Sequence, residues 1–286
     1  MLTKTASTPR VTVLLAVYNS ERSISKCVES ILEQSFKDFE LLIVDDGSTD
    51  QTADIIRRAS KKDNRIRILS NSSNLGLGAS LAWGVDEAVG EYLIRIDADD
   101  VCLPDRLERQ VRHLDQNPEV DVLGGAALEV DSSGKQIGVR CMPAEHDDIM
   151  ACIWANPFIH PTVAFRRRRL LDVGSYDPEL RRRQDYELWF RCAERGLRFA
   201  NLQEPLIYYF FDENTHRKQP LRLALQQAGI GWRGCRRLRL PLWQQLAVSV
   251  PLIRALLPAP VQHFLYKALS IVDPRKRGAR KSESCL

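Results

Sequence analysis

The sequence lacks any uninterrupted apolar run of the roughly 18 residues that a membrane-crossing helix requires. Its opening stretch, MLTKTASTPR, has no apolar segment of the kind that directs secretion. No C-x-x-C pair occurs and no histidine stands at zinc-finger spacing. The seven cysteines (27, 102, 141, 152, 192, 235 and 285) are odd in number and widely scattered. That pattern predicts reduced thiols in a cytoplasmic protein rather than a disulfide scaffold or a structural zinc site. Two phosphate-cradling signatures are also missing: G-x-x-x-x-G-K-S/T, and G-x-G-x-x-G at the first strand-to-helix turn. If the chain binds a nucleotide, it does so in another way.

What is present is an ordinary globular composition, 44% hydrophobic and 27% charged over 286 residues, enough for one large α/β domain or two small ones. The net charge of +4 hides a division. Residues 217–286 hold 14 Lys and Arg against Asp273 and Glu283, a net +12, whereas the preceding part carries −8. The two regions face different partners. Nucleic-acid binding finds little support, because the basic tail that ends this segment lacks interleaved aromatics and the core is acidic.

Short apolar runs alternate with helical patterns. VTVLLAV (11–17) leads into a helix whose Ile24, Val28, Ile31 and Leu32 share one face. FELLIV (39–44) precedes a helix from Thr52, RIRIL (65–69) a helix over 77–88, and YLIRI (92–96) is a fourth strand. This alternation predicts a parallel sheet with right-handed crossovers. Further on, a helix is expected to start with Pro104 at its first position, then a hairpin, a helix near 146–154, a strand at PTVAF, a helix over 184–194 and short strands at RFANL and LIYYF. From Pro220 the pattern is helical and interrupted by prolines.

In such a sheet, ligands sit beyond the carboxyl ends of the strands. Three polar clusters fall there: Tyr18 after the first strand, Asp45-Asp46 after the second, and Asp97-Ala98-Asp99-Asp100 after the fourth. Carboxylates that close repel one another unless a cation or water intervenes. Asp97-x-Asp99 suits a hard divalent ion completed by substrate phosphates. Equally, Asp99 or Asp100 could serve the start of the helix after Pro104, where negative charge is favoured. D-D-G-S-T-D (45–50) likewise reads either as a turn and helix cap or as a carboxylate that accepts from a nucleobase.

The segments VTVLLAVYNSE, ILEQSFKDFELLIVDDGSTD, NLGLGASLAWGVDEAVGEYLIRIDADDVCLPDRLERQV and NPFIHPTVAFRRRRLLDVGSYDPELRRRQDYELWFRCAERG resemble, in order and spacing, the family 2 inverting glycosyltransferases. The resemblance spans roughly residues 10–216. It implies a GT-A fold, a Rossmann-like three-layer mixed sheet, here with a C-terminal helical extension over 217–286. It also implies transfer of a sugar from a nucleotide-sugar donor, usually a UDP-sugar, with a Mn²⁺ or Mg²⁺ ion. The acceptor would be a hydroxyl of a polysaccharide, O-antigen or lipid-linked oligosaccharide. Carried over by position, Ala16, Tyr18, Glu21, Asp46, Asp97, Ala98 and Asp99 would form the donor site, with Tyr18 against the base and Asp46 on the uracil. Asp97 and Asp99 would hold the ribose and the metal-diphosphate, and Asp185 would be the catalytic base.

The chain departs from the family pattern at Gln184, where an acidic residue is usual, at Ala82-Trp83 and at Tyr209-Phe210. The arginine runs at 166–169 and 181–183 are either solvated faces or, at Arg181, Arg182 and Arg183, partners of an acceptor's pyrophosphate. His160 either lines the cleft or is structural. The C-terminal segment, with Trp232, Trp243 and bordering arginines, reads as packed helices or as a surface that contacts an anionic membrane, placing the protein at its inner face. Two other classes share parts of this pattern. A sugar nucleotidyltransferase would need a Gly-rich basic loop where Ala16-Val17-Tyr18-Asn19 stands, and a receiver-like signalling domain would need a Lys after its fifth strand.

Overall fold

The structure is a computed structural model that describes residues 8–131, 133–210, 220–256 and 275. The expected boundary at 216/217, Cys285 and most of the basic tail lie outside the described residues.

Four parallel strands form the heart of the sheet: β1 (Val11–Val17), β2 (Phe39–Asp45), β3 (Ile66–Ser70) and β4 (Tyr92–Ile96). Helices α1 (Ile24–Leu32), α2 (Thr52–Ser60) and α3 (Leu77–Glu87) connect them. The spatial order is β3-β2-β1-β4, so successive strands run one way from β1 and then jump to its other side. That jump makes β1/β4 a topological switch point, where a crevice opens at the carboxyl ends.

The sheet continues beyond β4 through β8 (Ala164–Arg166), β6 (Val122–Val130), β9 (Phe199–Phe210) and β5 (Val101–Cys102), and β7 (Gln136–Arg140) pairs with β6. β8 is antiparallel to β4 and to β6, while β6 and β9 are parallel, so the sheet is mixed as expected. The remaining helices are α4 (Arg106–Gln116), α5 (His146–Ala151), α6 (Arg167–Asp172), α7 (Gln184–Glu194), α8 (Leu221–Arg237), α9 (Leu242–Ala247) and α10 (Val250–Leu256).

Period-two alternation on β1 divides the core between the two faces of the sheet. Val11, Val13, Leu15 and Val17 pack with Ile24, Val28 and Ile31 of α1 and with Leu107 and Val111 of α4. Leu14 and Ala16 join Leu81 and Val85 of α3, Leu188 and Trp189 of α7, and Ile230 and Cys235 of α8. The C-terminal helices are therefore anchored on the second face. Gly234 lies so close to Phe190 that a Cβ there would stand 2.2 Å from the ring. Burying Ile230 and Val248 stabilises this contact by about 1.5 to 3 kcal/mol each. Among the described residues, no helix is long and apolar enough to cross a membrane.

Several local expectations are corrected. The helix after Pro104 begins at Arg106, because Leu103 N still pairs with Leu206 O at 2.9 Å and holds the chain extended one step longer. PTVAF is not one strand: His160–Thr162 is a 3-10 turn and pairing starts only at Ala164. RFANL and LIYYF form the single strand β9, whose register against β6 shifts around Gly125–Ala127. The run 166–169 is a solvated face only at Arg168 and Arg169, which are exposed. Arg166 donates to Val120 O (2.9 Å) and Leu114 O (2.7 Å), Arg167 to Val85 O (3.2 Å), and Arg169 to Asp121 (3.0 Å). Cys27, Cys102, Cys192 and Cys235 are free buried thiols, and Cys152 is buried with its Sγ donating to Asp148 O at 3.3 Å.

Candidate active site

The crevice at the β1/β4 switch point has two lobes. One, of about 310 Å³, is lined by Ala16, Tyr18, Asp46, Gly76, Arg181 and Arg182, among others. The other, of about 460 Å³, is lined by Ala16, Tyr18, Glu21, Asp97, Ala98 and Asp99 together with neighbouring loop residues. Ala16 and Tyr18 belong to both, so all seven residues expected at the donor site lie along one continuous cleft.

The first lobe is shaped by Asp46. Its buried carboxylate accepts from Asn71 Nδ2 (2.8 Å), Leu75 N (2.9 Å) and Gly76 N (2.8 Å), which folds residues 71–76 into the lobe's rim. Gly76 has φ +101°, a conformation open to glycine at no steric cost. A side chain there would also collide with Arg181, 2.7 Å from the ideal Cβ position. Arg181 spans this rim, donating to Leu75 O at 3.3 Å and bonding to Asn74 O. Arg181 and Arg182 thus stand on the Asp46 lobe. Arg183, at φ +66°, forms the entry to α7.

The second lobe is shaped by two loops that brace each other. Glu21 N donates to Asp50 at 3.1 Å and Gln51 N donates to Glu21 at 3.1 Å, while Thr49 N reaches Asn19 Oδ1 at 2.8 Å. Asp50 also accepts from Thr52 N (2.9 Å), so the D-D-G-S-T-D segment does make a turn and a helix start. Tyr18 lines both lobes with 44% of its surface exposed.

At the end of β4, Asp97, Asp99 and Asp100 each place one carboxylate oxygen within 4.8 Å of the others. Burial pushes the Asp100 carboxyl well above the usual range, and the charges of Asp97 and Asp99 add to it. Burial likewise raises Asp97, against the pull of Arg95. Beneath them lie two guanidinium groups that the sequence did not advertise. Arg95, 1% exposed, bonds to Asp97, and its Nε and one terminal nitrogen have no hydrogen-bond partner. Arg106, fully buried, donates to Arg95 O (2.6 Å) and Pro161 O (2.8 Å). Buried charges require such compensation. The oxygen set is that of a hard divalent cation, and Asp100 Oδ2 is buried without a partner. The residues present fit such an ion. The helix-start alternative for Asp99 and Asp100 is not realised, since Asp105 precedes α4 and pairs with Arg109.

Helix α7 follows Arg181 and Arg182, which line the first lobe. Asp185, in its first turn, is close enough for its charge to act on Asp97 and on Tyr176. Asp185 Oδ2 accepts from Asn156 Nδ2 at 3.0 Å, and Asn156 Oδ1 accepts from Trp189 Nε1 at 2.9 Å. His160 lines neither lobe. It is 9% exposed, its Nε2 lies 2.9 Å from Tyr176 Oη, and burial holds the imidazole well below its usual pKa. Gln184 is buried too, with Oε1 unpartnered. Arg95, Arg106 and Asn156 were missed because none forms a motif. The only available signal was an arginine inside an apolar strand, which must find a countercharge.

Comparison with known proteins places this geometry. Residues 12–174 match the model of "Glycosyl transferase family 2". The chain is 36% identical to "Putative glycosyltransferase EpsE" of Bacillus subtilis over 97% of its own length and 99% of the relative's. It is 29% identical to "Amylovoran biosynthesis glycosyltransferase AmsE" of Erwinia amylovora, over 89% and 97% respectively. Its fold is that of S. aureus TarS 1-349 solved with UDP-GlcNAc, with a TM-score of 0.68 and 22% identity over 86% of this chain and 72% of that one. It also resembles the mannosyltransferase PcManGT from Pyrobaculum calidifontis, solved with GDP-Man and Mn²⁺ (TM-score 0.57, 18% identity, 96% and 84% covered). The fold is GT-A, and the chain is a glycosyltransferase that belongs to glycosyl transferase family 2.

Proposed function

We propose that this enzyme transfers a sugar, with inversion, from a UDP-sugar to a hydroxyl of a growing polysaccharide, O-antigen or lipid-linked oligosaccharide at the inner face of the cell membrane. The observation that carries the reading is the juxtaposition of the Asp97-Asp99-Asp100 cluster with the cleft at the β1/β4 switch point, and Asp185 near enough for its charge to act on Asp97. Relatives support it: AmsE is named for amylovoran synthesis and TarS was solved with UDP-GlcNAc.

In this reading the nucleoside lies in the Asp46 lobe, with Tyr18 against the base. Glu21 and Ala98 shape the second lobe, and Arg181 and Arg182 reach the donor's phosphates rather than an acceptor. Asp97 and Asp99 would hold Mn²⁺ or Mg²⁺, which when bound would supply charge stabilisation for the departing diphosphate. Asp185 takes the proton of the acceptor hydroxyl. The freed oxygen then attacks the anomeric carbon, and the bond to the diphosphate breaks with its electron pair leaving on the UDP oxygen. Gln184, which carries no charge, does not compete for that proton. Residues 1–216 carry this chemistry, and 217–286 serve as an extension that contacts anionic lipid.

The test is UDP release from UDP-sugars with an acceptor extract, with and without Mn²⁺. Asp185→Asn should bind UDP normally yet turn over at least ~100-fold more slowly, and Asp99→Ala should lose nucleotide-dependent Mn²⁺ binding. Wild-type turnover by Asp185→Asn moves the base elsewhere.

A further inference from the structure

Asn156 sits at φ 58°, ψ 83°, a left-handed conformation uncommon outside glycine but better tolerated by asparagine. Such positions persist only where the surroundings hold them, and they cluster at functional sites. The amide here is held from both ends: Trp189 Nε1 donates to Oδ1 at 2.9 Å, and Nδ2 donates to Asp185 at 3.0 Å. An indole nitrogen can only donate. The atom facing fully buried Trp189 must therefore be the amide oxygen, and the atom facing Asp185 must be the amide nitrogen.

We infer that Asn156, fixed by Trp189, is the positioning residue of the catalytic carboxylate: it pins Asp185 Oδ2 and leaves Oδ1 to take the acceptor's proton. The inference rests on the reading of Asp185 as the base. Without the Trp189 indole the amide could rotate and present its oxygen to a carboxylate, which repels it. Arg183 from the entry to α7, Asp97 from the end of β4, and Tyr176 and Tyr186 are the other titratable groups whose charges couple to Asp185.

The test is steady-state kinetics on full-length Asn156→Gly, which keeps the left-handed backbone and removes the amide, and on Trp189→Phe, which keeps the ring and removes the donor. Both should lose between about tenfold and 100-fold in kcat, with donor KM and calorimetric UDP affinity within about twofold of wild type. Asn156→Asp, which sets a second carboxylate beside the base, should move the acid limb of the pH–rate profile upward, a change that mere loosening of the fold would not produce. Wild-type kcat in Asn156→Gly and Trp189→Phe overturns the inference while Asp185→Asn remains inactive. An active Asp185→Asn instead removes the base reading, and this inference falls with it.

Discussion

His160 is enclosed by Tyr176 and Trp189, and its imidazole is held neutral by burial. In the unfolded chain the same group takes a proton below about pH 6.5. The unfolded state therefore binds more protons in acid, and stability falls as pH drops through that value. One histidine kept fully neutral costs about 1.4 kcal/mol at pH 5.5. His113 and His146 are shifted in the same direction, also by burial. Urea midpoints should fall between pH 7.5 and 5.5, and by less in His160→Gln than in wild type. An equal fall in both would place the acid sensitivity on other groups. A histidine before a proline is a visible motif, but its burial is not, because the shell that covers it comes from Tyr176 and Trp189.

At the scale of elements, the α7/α8 contact depends on Gly231 and Gly234. A Cβ at 231 would meet Tyr186 Oη at 2.7 Å, and one at 234 the Phe190 ring at 2.2 Å. Gly234→Ala would relieve helix entropy on an exposed helix, yet here it overpacks a buried contact at a cost of about 1 to 3 kcal/mol. Thermal or urea denaturation of that variant should show the loss, and unchanged stability would mean α8 is free to shift away from α7. The parallel strands β1 to β4 and helices α1 to α3 were legible because alternation and helical periodicity are local. The Asp97, Asp99 and Asp46 positions were legible for the same reason, as ends of those strands. What escaped depends on partners distant in sequence. Val101–Cys102 is a strand only because Tyr208 and Ile207 lie beside it, and Asn156 matters only because α7 brings Asp185 and Trp189 to it.

Over the whole molecule, the outer side of the C-terminal helices carries apolar side chains beside arginines. Leu221, Leu225 and Trp232 share one face of α8, and Leu242 and Leu246 of α9 are 77% and 65% exposed. Arg222, Arg233, Arg236 and Arg239 are exposed nearby. Full-length protein should sediment with vesicles containing anionic lipid at low salt and release as salt rises, since exposed charges are screened beyond ~8 Å at physiological ionic strength. Deleting the helices would uncover Tyr186 and Phe190 of α7, on which Gly231 and Gly234 pack, so Leu242→Ser with Leu246→Ser is the cleaner variant. It should leave the vesicles while binding UDP unchanged, and retention by the double variant would assign this face to something other than lipid. The order of the strands bears on synthesis. β5, which directly follows the Asp97-Asp100 turn, has its only described strand partner in β9, and one edge of β6 waits for β9 although its other edge pairs with β7 and β8. A ribosome that has delivered the nucleotide-side strands has therefore not yet delivered what closes the carboxylate turn or the helix bearing Asp185. The emerging chain must hold an open, half-paired sheet edge until residue 210 is available, so the last-made strand decides when the catalyst comes into being.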